Sequence, residues 1–117
     1  MAAMVDNDGR SSLDFPSYDF RLITANDVYR PERLAIMRTL VKHYRNDEKS
    51  KVILAGDLLG ASMYATAHRG ESVIDLLNHV GVDYCVLGNH EFDFGSDRLS
   101  ELMSLSRFPW LGSNIRN

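Results

Sequence analysis

Five polar residues have the types and spacing to do chemistry together: Asp27, Asp57, Asn89, His90 and Asp93. All follow apolar runs. Asp27 comes after Phe20-Arg21-Leu22-Ile23-Thr24-Ala25 and Asn26, and Asp57 after Lys51-Val52-Ile53-Leu54-Ala55 and Gly56. Asn89, His90 and Asp93 follow Tyr84-Cys85-Val86-Leu87 and Gly88. Carboxylate and amide oxygens on separate strand ends suit hard or borderline divalent ions. A carboxylate between two ions about 3.5–4 Å apart can bridge them, and such a pair clamps the attacking and leaving oxygens of a phosphate ester. A neighbouring histidine can protonate the leaving oxygen or stabilise charge on the phosphoryl group. Asp93, three residues after His90, is spaced to hold that imidazole in one tautomer.

A blander reading stands beside this one. A single Asp after a strand is more often a helix cap or a turn residue than a ligand, and Asp27 or Asp57 alone is read that way. Gly-Asn alone would be a turn. Asn89-His90-Glu91 directly after a buried strand is hard to assign to turn chemistry, and Glu91 within it is read as structural.

Placing these residues requires strands that end side by side. The runs 20–25, 51–55 and 84–87 are apolar and β-prone, and Phe108-Pro109-Trp110-Leu111-Gly112 starts a fourth strand that Ser113-Asn114 ends. Pro31 opens a helix to about Arg45, with Leu34, Met37, Leu40, Val41 and Tyr44 at helical spacing. Residues 46–50 are a charged loop and 61–69 a looser region. A second helix covers 70–80, with Val73, Ile74, Leu77 and Val80 inward and Gly81 as its stop. A third covers 97–106, capped by Ser96, with Leu99, Leu102 and Met103 on one face. Each helix joins two strands by a short crossover, so the sheet is expected to be parallel with right-handed connections. If the strands are neighbours, the polar set converges at their carboxyl ends, where open α/β sheets bind ligands.

Composition narrows the classes. The chain has 117 residues, 25% of them charged, and a net charge of −3, enough for one modest domain. No basic run tracks phosphates, so nucleic acid is not an expected partner. No apolar run approaches the roughly 18 residues that span a bilayer. The lone Cys85 fits a reducing compartment and reads as a small buried hydrophobe. Residues 1–19 are polar, lack the charged and apolar regions of a secretory signal, and read as a flexible tail, which points to a cytoplasmic location. His43 and His79 have ordinary surface explanations, the latter in a last helical turn, and His68 has no nameable partner.

Residues 20–115 resemble the first half of a calcineurin-like metallophosphoesterase domain, nearest to the 5′-nucleotidase group. The likeness rests on Asn26-Asp27-Val28, Gly56-Asp57-Leu58-Leu59-Gly60, Arg69-Gly70-Glu71 and, above all, Gly88-Asn89-His90-Glu91-Phe92-Asp93-Phe94-Gly95. Leu111-Gly112-Ser113-Asn114-Ile115 is similar to the family's next strand. The resemblance implies that Asp27 ligates a first metal, Asp57 bridges two metals and Asn89 ligates the second. It implies that His90, oriented by Asp93, assists phosphoryl transfer to a metal-activated water. Two departures stand out. The family's Asp-x-His is here Asp27-Val28-Tyr29, and a phenol with a pKa near 10 does not readily replace an imidazole ligand. The family's later histidine ligands and its nucleotide-binding C-terminal domain have no counterpart in these residues.

The resemblance implies an α-β-β-α sandwich of two sheets with helices outside, of which residues 20–117 supply the first half as parallel βαβ units. The expected cofactors are two divalent ions (Mn, Zn, Fe, Mg or Ca), and the expected substrate is a small phosphorylated molecule, with a nucleotide as one option. The leading expectation is a metal-dependent hydrolase of phosphate esters, present here as a truncated piece that is inactive alone. Next come a catalytically dead relative kept as a binding or regulatory module, for which Tyr29 argues, and then a metal-free α/β domain.

Overall fold

The computed structural model describes residues 20–46, 48–60, 62–113 and 115. The tail expected over 1–19, and Asn114 at the expected end of the fourth strand, lie outside these residues. Four strands, β1 (Arg21–Ala25), β2 (Ser50–Leu54), β3 (Tyr84–Val86) and β4 (Trp110–Leu111), form one sheet in that spatial order. Every pairing is parallel, with Ala25 beside Leu54 and Leu54 beside Cys85. Helix α1 (Pro31–Tyr44) links β1 to β2, α2 (Met63–Ala67) and α3 (Glu71–Val80) link β2 to β3, and α4 (Ser96–Leu105) links β3 to β4. A single 3₁₀ turn, His90–Phe92, precedes α4.

The expected parallel βαβ architecture is therefore present, and its order explains where the core lies. Right-handed crossovers between successive neighbours stack every helix on the same face of the sheet. One core results, built from Leu34, Met37 and Val41 of α1, Val73, Ile74, Leu77 and Val80 of α3, and Leu99 and Leu102 of α4. These pack on Val52, Leu54 and Cys85 of the sheet. Each fully buried Leu or Ile side chain contributes about 1.5–3 kcal/mol. The β2 start is tied down by Asp83, which accepts hydrogen bonds from Val52 N (2.8 Å) and Arg45 Nη2 (2.9 Å).

Among the described residues, no element covers the opposite face of the sheet. Alternation along the strands sends Leu22, Tyr84, Val86 and Leu111 to it, and they are 54%, 36%, 36% and 40% exposed. Strands that are apolar on both faces need cover on both, and the helices supply only one side.

Several boundaries differ from the sequence reading. Residues 61–69 contain the short helix α2, whose Ser62 caps it by accepting from Ala65 N at 3.0 Å. Ser96 is not a cap: it is the first residue of α4, and Gly95 holds the capping position at φ 86°. Gly70 likewise caps α3 from a left-handed conformation, and Gly81 closes it at φ 86° as expected. On α1, Leu40 and Tyr44 turn out to solvent, because the buried stripe is the narrower set Leu34, Met37 and Val41.

Candidate functional site

The carboxyl ends of β1, β2 and β3 lie side by side, and the loops leaving them touch. Ala55 N donates to Ala25 O (2.9 Å) and Asp27 N to Gly56 O (3.4 Å), joining the first two loops. His90 N donates to Asp57 Oδ1 (3.0 Å), joining the second to the third. The rings of Tyr29 and His90 meet edge-on at 5.7 Å between centroids. Asp27, Tyr29, Asp57 and His90 thus come to one edge of the sheet, with Asn89 next to His90 on the 3₁₀ turn.

Backbone conformation at this edge is unusual. Asp27 (φ 53°) and Asp57 (φ 57°) both adopt left-handed φ. Asp tolerates that region better than most residues, yet such conformations persist only where the surroundings enforce them. Close approach of the loops is one enforcing factor. A Cβ on Gly56 would sit 2.7 Å from Gly88 N, and one on Gly88 would sit 2.3 Å from Asp57 Oδ1. Only glycine at both positions lets the two backbones reach this distance.

Two side-chain pairs organise the rim. Asp93 Oδ2 holds His90 Nδ1 at 2.8 Å. That hydrogen bond and the carboxylate charge raise the imidazole pKa above its usual 6.5, against a smaller opposing effect of burial. Asp27 accepts from the Tyr29 hydroxyl at 2.8 Å through Oδ1 and from the Asn26 amide through Oδ2. The Asp27 hydrogen bond, followed by partial burial and nearby carboxylates, pushes the Tyr29 phenol up to about 12. Tyr29 in this arrangement is a neutral donor to Asp27, a role unlike that of an imidazole ligand.

Glu91 is the member of the site that sequence reading undervalued. It is fully buried and accepts four backbone hydrogen bonds, from Asp57 N, Leu58 N and Leu59 N of one loop and Gly88 N of the other. Gly60 is a second such residue: a Cβ there would lie 2.0 Å from Asp93 Oδ2. Cys85 is buried beneath the site, and burial together with the Glu91 charge pushes its thiol far up, so it is a packing residue as expected.

Asp27, Asp57 and Asn89 fit a divalent cation in kind, since they are oxygen donors at neighbouring strand ends. In number they fall short: among the described residues no three His, Cys, Asp or Glu side chains form a group able to hold a metal ion. The nearest depression, lined by Asp27, Tyr29, Arg30 and Arg33, measures ≈ 160 Å³, below the roughly 300–1,000 Å³ of small-molecule sites. A larger cavity of ≈ 490 Å³ sits at the other end of the strands, by Phe20, Arg21, Asn46 and Lys49, away from this chemistry. None of the helices described is long and apolar enough to cross a membrane.

The family model described as calcineurin-like phosphoesterase matches residues 20–116. The chain belongs to the calcineurin-like phosphoesterase family. Enzymes of this family are metal-dependent hydrolases of phosphate esters. The "Probable 5′-nucleotidase" of Treponema pallidum (strain Nichols) is 38% identical over 76 residues, covering 64% of this chain and 13% of that protein. The snake venom 5′-nucleotidase of Gloydius brevicauda is 31% identical over 112 residues, covering 94% of this chain and 19% of its own length. Among solved structures, the NAD nucleotidase of Haemophilus influenzae superposes with a TM-score of 0.66 at 25% identity, over 80% of this chain and 20% of that one. The chain therefore spans a fifth or less of the length of each of these three relatives.

Proposed function

We propose that the chain contributes the first half of a metal-dependent 5′-nucleotidase site that hydrolyses phosphate monoesters of nucleotides. The observation that carries this reading is the chain of contacts at the strand ends, in which Asp57 Oδ1 accepts from His90 N while His90 is held by Asp93. A bland set of caps and turns has no need for a histidine oriented by a carboxylate beside two left-handed aspartates. The curated relatives named as 5′-nucleotidases favour a nucleotide substrate.

In this reading Asp27, Asp57 and Asn89 would hold divalent metal, Asp57 serving both ions of a pair. When bound, the metal would supply a Lewis acid and an activated water at neutral pH. Asp93 fixes the His90 imidazole with Nδ1 engaged, so that Nε2 is the nitrogen free to meet a phosphoryl or leaving oxygen. Protonated His90 would offset charge developing there and give its proton to the departing alkoxide. Tyr29 keeps the Asp27 carboxylate fixed by donating to Oδ1. The remaining donors would come from parts of the protein beyond these residues, as would cover for the open sheet face, so that residues 1–117 alone are inactive. Substitution of His90 by Asn in the full-length protein tests the assignment. Turnover of a nucleoside 5′-monophosphate should fall by roughly 10²-fold or more, in line with loss of a general acid, while metal content stays near that of the wild type. Loss of the metal along with turnover would make His90 a ligand and contradict this role.

A further inference from the structure

Glu91 places a carboxyl side chain in a wholly enclosed position. Burying a carboxylate is costly unless donors replace its water. Here four backbone N–H groups do so. Oε2 accepts from Asp57 N (2.9 Å) and Gly88 N (2.6 Å), and Oε1 from Leu58 N (2.7 Å) and Leu59 N (3.3 Å). Three of these donors leave β2 and the fourth leaves β3. Glycines 56 and 88 let the two loops approach closely, and apart from Glu91 the hydrogen bond from His90 N to Asp57 Oδ1 joins them.

We propose that Glu91 is a positioning residue for the metal-binding edge, clamping the loop that carries Asp57 to the loop that carries Asn89 and His90. The geometry closes a ring. Glu91 holds the Asp57 main chain, the Asp57 carboxylate accepts from His90 N, and His90 adjoins Glu91 in sequence. With both ends fixed, the direction of the Asp57 carboxylate and its distance from Asn89 are set before any ion arrives. A carboxylate is required, because each oxygen faces two donors. The amide of a glutamine would turn its NH₂ toward one of those pairs, donor against donor. An aspartate would be too short to reach both loops at once.

The inference rests on the metal-dependent reading above, and the test separates the two. Glu91→Gln and Glu91→Asp are made in the full-length protein beside Leu77→Ala, a control that weakens the core of α3, where Leu77 is fully buried. Cobalt(II) serves as the probe, its uptake read by visible absorption, and amide hydrogen exchange is followed in the same proteins without added metal. Both Glu91 variants should lose exchange protection at Asp57, Leu58 and Gly88 while keeping it in α3. Their cobalt affinity should fall roughly 10–100-fold, the usual effect of removing a group that orients ligands. Leu77→Ala should lower stability and leave affinity within about two-fold. Wild-type affinity in Glu91→Gln, or an equal loss in Leu77→Ala, would overturn the proposal. A wild type that takes up no cobalt would overturn the metal reading and the positioning role with it. The exchange data would then show whether the clamp exists as a purely structural feature.

Discussion

Replacing Gly60 by alanine should uncouple His90 from Asp93 without touching either. Gly60 has no left-handed φ, so alanine meets no conformational objection and the effect is steric. The new methyl would lie 2.0 Å from Asp93 Oδ2, 2.8 Å from its Cγ and 2.9 Å from His90 O. The Asp93 side chain is 39% exposed and can swing away, whereas His90 O belongs to the 3₁₀ turn and must carry backbone with it. Overpacking of this kind costs about 1–3 kcal/mol, and the freedom of Asp93 places the expected cost near the lower end. Its departure removes the 2.8 Å contact with Nδ1, so the raised imidazole pKa should fall back toward 6.5. An NMR titration of His90 reads this directly, and thermal denaturation reads the stability. In an Asp93→Ala background most of the clash is gone, so Gly60→Ala should cost less there, giving a coupling of about 1 kcal/mol in a double-mutant cycle. An unchanged His90 pKa together with strictly additive stabilities would refute the reasoning.

The same pair sets a pH dependence in the protein without added metal. Because folding raises the His90 pKa, its pairing with Asp93 stabilises fully below the unfolded value of about 6.5 and is lost as pH rises through the folded value. Denaturant melts from pH 5.5 to 8 should show this fall in the wild type and a flatter profile in Asp93→Asn. The open sheet face bearing Leu22, Tyr84, Val86 and Leu111 predicts that residues 1–117 expressed alone self-associate and bind a hydrophobic dye. Light scattering and dye fluorescence check this, Leu22→Lys with Val86→Lys should reduce both signals, and a compact monomer that binds no dye would count against it.

Much of this fold could be read from local pattern. The runs around β1, β2 and β3 are unbroken and apolar, and helical spacing marked α1, α3 and α4, so a parallel βαβ sheet followed. What escaped was set by tertiary contact. Leu40 and Tyr44 fit the α1 periodicity, yet only Leu34, Met37 and Val41 meet the sheet. Helix α2 carried a readable signal in Ser62, whose hydroxyl caps it, but five residues are too short to show a period. At the site, Asp57, His90 and Asp93 stood out because carboxylate and imidazole are conspicuous at strand ends, and the structure joins them by hydrogen bonds. Glu91 was legible as structural, but what it holds was not. Its inward direction depends on the 3₁₀ turn and on four amides, three of them over thirty residues away. Gly60 and Gly88 escaped for the same reason, since what a missing Cβ makes room for is invisible until the loops are brought together.

Asp57 carries the central claim, because one carboxylate is asked to serve both ions of a metal pair. Asp57→Asn and Asp27→Asn in the full-length protein, assayed with a generic phosphate ester in the presence of manganese or zinc, test it most directly. The account predicts metal-dependent turnover in the wild type and a larger loss for Asp57→Asn than for Asp27→Asn. Equal losses, or a greater loss at Asp27, would contradict it.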